Sequence, residues 1–183
     1  EWPNPPWSTF IFRTLLENTE FRNQFINYFA DLLNTVFRPE FVNQRIDEMS
    51  AAIESSIPEH INRWPGSVGG WNNSIDTWKN NVQAMKSFAN DRQANVRRHI
   101  INKFTTKGVT GTVTVKLNTD LTKGHIKINS LDVEPNTPGV VNADSWTGTY
   151  FKGVPVTLKA VPKLGYVFDH WKGVDVEDRK SVV

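Results

Sequence analysis

The sequence predicts an α+β protein, with an N-terminal helical bundle over residues 1–107 and a small antiparallel β-domain over residues 108–183. Three observations carry that expectation. Up to Lys107, apolar side chains recur at spacings of three and four, the period of a helix with one buried face. Beyond Gly108 they recur at every second position, the period of a half-buried strand. A short TTKG stretch separates the two regimes, so few contacts are expected across it. Proteolytic nicking is then expected near residues 105–108, or in the loop at 134–144.

Taken in order, STFIFRTLLEN reads as a short helix capped by Ser8, with Phe12, Leu15 and Leu16 turned inward. TEFRNQFINYFADLLN follows, with Phe21, Phe25, Tyr28, Phe29, Leu32 and Leu33 as one wide stripe. Thr19 is its expected N-cap and Asn34 its stop, and Phe25, Phe29 and Leu32 are expected in the bundle core. RPEFVNQRIDEMSAAIESS sets Pro39 in the first turn of a third helix striped by Val42, Ile46, Met49 and Ile53. Pro58 begins a short helical turn ending near Trp64, and the PGSVGG loop follows. Two more helices are expected. One carries Ile75, Trp78, Val82, Met85 and Phe88; the other is capped by Asp91 and carries Val96, Ile100 and Phe104. Short loops between such helices favour antiparallel packing.

In the second half, GTVTVKL alternates Val113, Val115 and Leu117 with polar residues, and KGHIKIN repeats the pattern with Ile126 and Ile128. The Pro-, Asn- and Gly-rich run at 134–144 is a long loop. VPVTLKA and YVFDHW read as the next two strands, turning at Leu164–Gly165. Phe168 and Trp171 are three residues apart, so both cannot face inward on a regular strand. A bulge or bend at residues 169–170 is expected to restore them, leaving Trp171 at least half buried in a packing role. The closing residues resemble the start of a further strand.

Composition narrows the function. The chain has 183 residues and a net charge of +2; residues 1–107 carry 12 basic and 11 acidic side chains, and residues 108–183 carry 9 and 8. Neither half is basic enough to suggest nucleic acid. Without cysteine there are neither disulfides nor thiolate metal sites. No apolar run approaches the roughly 20 residues that span a bilayer, so no membrane insertion is expected. The chain opens at Glu1 with neither Met nor a signal peptide, as an excised piece of a longer protein would.

Chemistry-bearing motifs are sparse. His60, His99, His125 and His170 share no metal-ligand spacing. Asp47 and Glu48, adjacent on a helix, point in different directions and cannot aim at one bond. GSVGG lacks the Lys-Ser/Thr of a phosphate loop, and no strand leads into it. No catalytic, metal-binding or cofactor-binding residue is therefore assigned. Aromatic residues of the β-domain are the feature with a binding character. Phe168 and Trp171 read as core, whereas Trp146 and Tyr150, beside the long loop, are the candidate ligand-binding residues.

The run WSTFIFRTLLENTEFRNQFINYFADLLNTVFRPEFVNQRIDEM, then IPEHINRW, WKNNVQAMKSFANDRQANVRRHI and a closing KF, resembles the C-terminal helical part of the CotH-type spore-coat kinase family over residues 2–105. The resemblance implies a distant, atypical protein kinase that phosphorylates secreted or coat proteins with ATP and a divalent metal. Its nucleotide and metal motifs lie upstream of the matched part, so none transfers to a position here.

The second half is similar to the divergent bacterial surface repeat related to internalin B-repeats. Gly153, Val156, Leu158, Ala160, Pro162, Gly165, Tyr166, Phe168 and Trp171 match its pattern. Together the resemblances imply an extracellular, cell-surface or spore-coat protein. In it, non-catalytic helices support an ATP-binding lobe that precedes Glu1, and coat proteins or glycans are candidate partners. A carbohydrate- or cell-wall-binding module acting through the β-domain aromatics is the alternative, and a plain spacer the third reading.

Overall fold

The computed structural model describes residues 7–65 and 74–173. Among the described residues five helices precede five strands: α1 Phe10–Leu15, α2 Thr19–Leu33, α3 Pro39–Glu54, α4 Ile57–Arg63, α5 Ile75–Phe104, β1 Gly111–Asn118, β2 Gly124–Ile128, β3 Leu131–Val133, β4 Ser145–Lys152 and β5 Leu158–Pro162. The α+β class and the order of its halves are as the periodicity implies. The loop expected at 65–70 falls, apart from Pro65, outside the described residues, as does the strand expected at the C-terminal end.

Helix ends follow local chemistry. The Asn18 side chain, rather than Thr19, caps α2 by accepting the Phe21 N–H at 3.0 Å. Pro39 opens α3 and Pro58 lies in the first turn of α4, where a missing N–H costs nothing. Ser74 caps α5 by accepting from the Thr77 N–H at 3.1 Å. The boundary expected at Asp91 does not exist: α5 runs unbroken through 30 residues. It holds neither Gly nor Pro, so one capping-type residue in mid-helix has nothing to break the ladder with. A 3₁₀ turn over Thr105–Lys107 ends it, and Gly108 takes a positive φ of 94°, letting the Val109 N–H return to the Phe104 carbonyl.

Helices α3 and α5 pack antiparallel. Asn43 meets Asn90, Asp47 meets Lys86 and Glu54 meets Lys79, so numbers rise along one helix as they fall along the other. Yet α3 has no fully buried residue, and its expected stripe ends in Met49 and Ile53, both exposed. Phe12 and Leu15 of α1 are likewise exposed, and only Leu16 beyond its end is buried.

The strands form two sheets. β1 and β4 pair antiparallel, with Val113 opposite Tyr150 and Leu117 opposite Trp146. The second sheet has the order β3-β2-β5, all antiparallel, with Ile126 between Val133 and Ala160. The expected strand at YVFDHW is absent. Residues 166–171 follow a turn closed by the Tyr166 N–H on the Lys163 carbonyl and run irregularly past β1 and β2. The spacing of three between Phe168 and Trp171 explains this. Their rings meet at 4.8 Å and Trp171 packs on the core, which a pleated strand cannot arrange without a break.

One buried cluster joins the two halves. Ile26, Ala30, Ile100 and Phe104 from the helices pack with Val109, Leu117, Ile128, Val133, Trp146, Tyr150 and Phe151 from the strand region. The expectation of few contacts across residues 105–108 is therefore overturned. The face that α2 buries is not its phenylalanine stripe but the adjoining one, formed by Arg22, Ile26, Asn27, Ala30, Asp31 and Leu33. Phe25 and Phe29 lie half buried at its border.

Candidate functional site

Two surfaces of the helical half bear on function: its junction with β4 and the open groove between α2, α3 and α5. The junction is built from a polar stripe. Asn27, Asp31 and Asn34 lie four and three residues apart, on one face of α2 and its cap. Each engages the strand region. Asn34 pairs with the Thr149 backbone as a strand would: its Oδ1 accepts the Thr149 N–H at 2.9 Å and its Nδ2 donates to the Thr149 carbonyl at 3.0 Å. Arg97 of α5 closes the arrangement, donating to the same carbonyl at 2.8 Å and to Asn34 Oδ1 at 2.9 Å. The outer edge of β4 is thus occupied by side chains at this point, which leaves less of it open to another strand.

Asp31 is the centre of the junction. Its carboxylate accepts from the Tyr150 hydroxyl at 2.7 Å, the Ser130 hydroxyl at 2.6 Å and the Ser130 N–H at 3.0 Å. Asn27 donates to the Pro155 carbonyl at 2.8 Å and to Asn129 Oδ1 at 3.3 Å, while its own Oδ1 is buried without a partner among the described residues. Burial pushes the Asp31 pKa above the usual carboxylate value, against the opposing pull of the Ser130 and Tyr150 donors. The Tyr150 hydroxyl is pushed up by burial and by the Asp31 charge, so it stays a donor at any physiological pH.

A pH dependence follows. Asp31 binds its proton more tightly in the folded than in the unfolded chain. Its stabilising contribution is therefore fully present below about pH 4 and is lost as pH rises through the folded pKa. Chemical denaturation of the wild type and of Asp31→Asn, compared across that window, should show the variant gaining relative stability as pH rises. A difference independent of pH would contradict the assignment.

These contacts also place the two residues singled out in the sequence. Trp146 is 2% exposed and Tyr150 0%. Both lie on the inward face of β4, their ring centroids 6.3 Å apart. The Trp146 indole lies over Gly148 so closely that a Cβ there would collide with it. Neither ring has a free face for a sugar, which corrects their reading as candidate ligand-binding residues. Strand β4 was hidden because SWTGTYFK mixes a glycine with residues facing both ways, and Phe151 on its opposite face is buried too. Sequence reasoning marks Asn34 only as a helix stop and does not mark Asp31 or Arg97. The available signal was the polar stripe at i, i+4 and i+7 beside an apolar one.

The groove is of the opposite character. Leu33, Trp78 and Val82 form its buried floor, with Val42 and Ile46 on one wall and the exposed Met85 and Phe88 at its mouth, enclosing about 920 Å³. Such a surface suits a protein partner's apolar side chains and offers no group for proton transfer or nucleophilic attack.

Comparison with known proteins finds two family models along the chain. Residues 129–182 match the divergent InlB B-repeat domain, which takes in β3, β4 and β5. No curated protein and no solved structure matches the chain. Residues 1–96, just over half of the chain, match the CotH kinase protein model, a match that ends within α5 short of the Lys103–Phe104 pair. The chain belongs to the CotH kinase protein family.

Proposed function

We propose that residues 1–183 form the C-terminal part of a CotH-type cell-surface or spore-coat protein. In this reading the helices brace an ATP-binding lobe that precedes Glu1, and the repeat-like strands cap them. The supporting observation is where large apolar side chains remain exposed. Within the CotH-matched residues, Trp7, Phe10 and Ile11 around α1, Met49 and Ile53 on α3, and Met85 and Phe88 on α5 are exposed, the last two lining the apolar groove with Val42 and Trp78; Leu164 and Val167 of the strand region are exposed as well. An open apolar groove of this kind marks a surface built to be covered.

The family implies ATP and a divalent metal, and the described residues do not fit such a site. No group of three or more His, Cys, Asp or Glu side chains converges among them to hold a metal. Asp31, the most deeply buried carboxylate among the described residues, is engaged by protein donors. Phosphoryl transfer depends on positioned metal and phosphate ligands, and these belong to the upstream lobe in this proposal.

Calorimetry with Mg-ATP or Mn-ATP tests it. Residues 1–183 alone should show no saturable site tighter than about 1 mM, roughly −4 kcal/mol. The chain extended upstream by its native sequence should show one. Phe88→Asp should impair nucleotide binding or phosphoryl transfer in the extended protein while leaving the short chain's stability unchanged. Tight ATP binding by residues 1–183 alone would overturn the proposal, as would an extended protein indifferent to Phe88→Asp.

A further inference from the structure

We propose that the cleft where α2 and α5 meet β4 binds a phosphoryl-type oxyanion, free or carried on a peptide, through the guanidinium groups of Arg38 and Arg97. The cleft encloses about 360 Å³, room for a phosphate group with part of a carrier. Its lining is polar: both arginines, with Asn142, Ser145 and Thr147 from the loop and strand opposite, and no acidic residue.

Arg97 carries the inference. Its side chain is partly buried, and that burial lowers its pKa from the usual arginine value. Its two contacts are both to neutral acceptors, the Thr149 carbonyl and Asn34 Oδ1. A guanidinium has five N–H donors, so three remain after these two bonds. Among the described residues no carboxylate forms a salt bridge with it. A partly buried cation without a counter-charge is costly unless an anion joins it.

Arg38 adds a second cation to the same cleft. Its acidic partner Glu40 sits 3.4 Å away on an exposed side chain, a weak pair that an anion in the cleft would outcompete. Two guanidinium groups and the Thr147 hydroxyl line this cleft, the donor types a phosphoryl group takes up, while the Ser145 hydroxyl already donates to Asn118 Oδ1 at 3.1 Å. A bare carboxylate would use fewer of these donors. The cleft lies across the junction, apart from the exposed helical face proposed to meet the upstream lobe, so the two proposals stand or fall separately.

The test is a titration of the chain with inorganic phosphate at constant ionic strength, followed by amide and side-chain NMR. Saturable shifts should localise to Asn34, Asn142, Ser145 and Thr147, with a dissociation constant in the millimolar range or tighter. Arg38 stands outside the Asp31 and Thr149 bonds, so Arg38→Gln should unfold at the wild-type midpoint yet bind at least about tenfold more weakly. A phosphoserine peptide binding more tightly than phosphate would assign the carried group; equal affinities would assign the free ion. Shifts that do not saturate, that scatter over the surface, or that persist unchanged in Arg38→Gln would overturn the proposal.

Discussion

Truncating Tyr150 to Ala should destabilise the chain by roughly 3–5 kcal/mol, the range for deleting a buried aromatic side chain. The ring is fully buried within the shared core, and its hydroxyl is one of the donors that hold the Asp31 carboxylate. The milder Tyr150→Phe separates the two contributions. It keeps the ring and removes the charge-assisted hydrogen bond, a loss of about 1.5–3 kcal/mol. Urea unfolding of both variants, followed by far-ultraviolet circular dichroism, measures the helices although the substitution lies in a strand. A Tyr150→Ala variant with wild-type helical stability would show that β4 is not coupled to α2.

Ile26→Ala should be the most damaging single truncation in α2, at roughly 2–5 kcal/mol, because the side chain is 0% exposed and packs between helix and strand residues. Phe29→Ala should cost less, since that ring is half buried and rests edge-on against Phe25 at 5.0 Å. The order reverses the one that the phenylalanine stripe suggests. Equilibrium unfolding of the pair decides it. A larger loss at Phe29 would mean that α2 turns its aromatic face to the core.

That reversal shows what could and could not be read from the residues. Period and capping chemistry gave the α+β class, α3, α4, the start of α5 and three strands, because those depend on neighbours in sequence. Which face of α2 is buried depends on what lies against it. Here the partners are β4, about 120 positions away, which brings Tyr150 to Asp31, and the turn between β2 and β3, which brings Ser130. A helix meeting such a surface buries Asn27, Asp31 and Asn34 because each finds a partner there, which hydropathy alone scores as an outward face. The same reasoning explains Trp146 and Tyr150. Their proximity to a polar loop suggested exposure, whereas the β1–β4 register and the helices place them inside. Likewise, Asp91 has the residue type of a cap, but uninterrupted helix-compatible sequence on both sides outweighs one residue's preference.

The junction predicts that helices and strands open together, and native-state hydrogen exchange of Tyr150→Phe tests this most directly. Slowly exchanging amides of α2 and α5 should lose protection by the same factor as those of β4, about tenfold or more for a loss above roughly 1.4 kcal/mol. Loss of protection confined to β1 and β4, with α2 exchanging at its wild-type rate, would contradict a single cooperative unit and leave two independently folded halves.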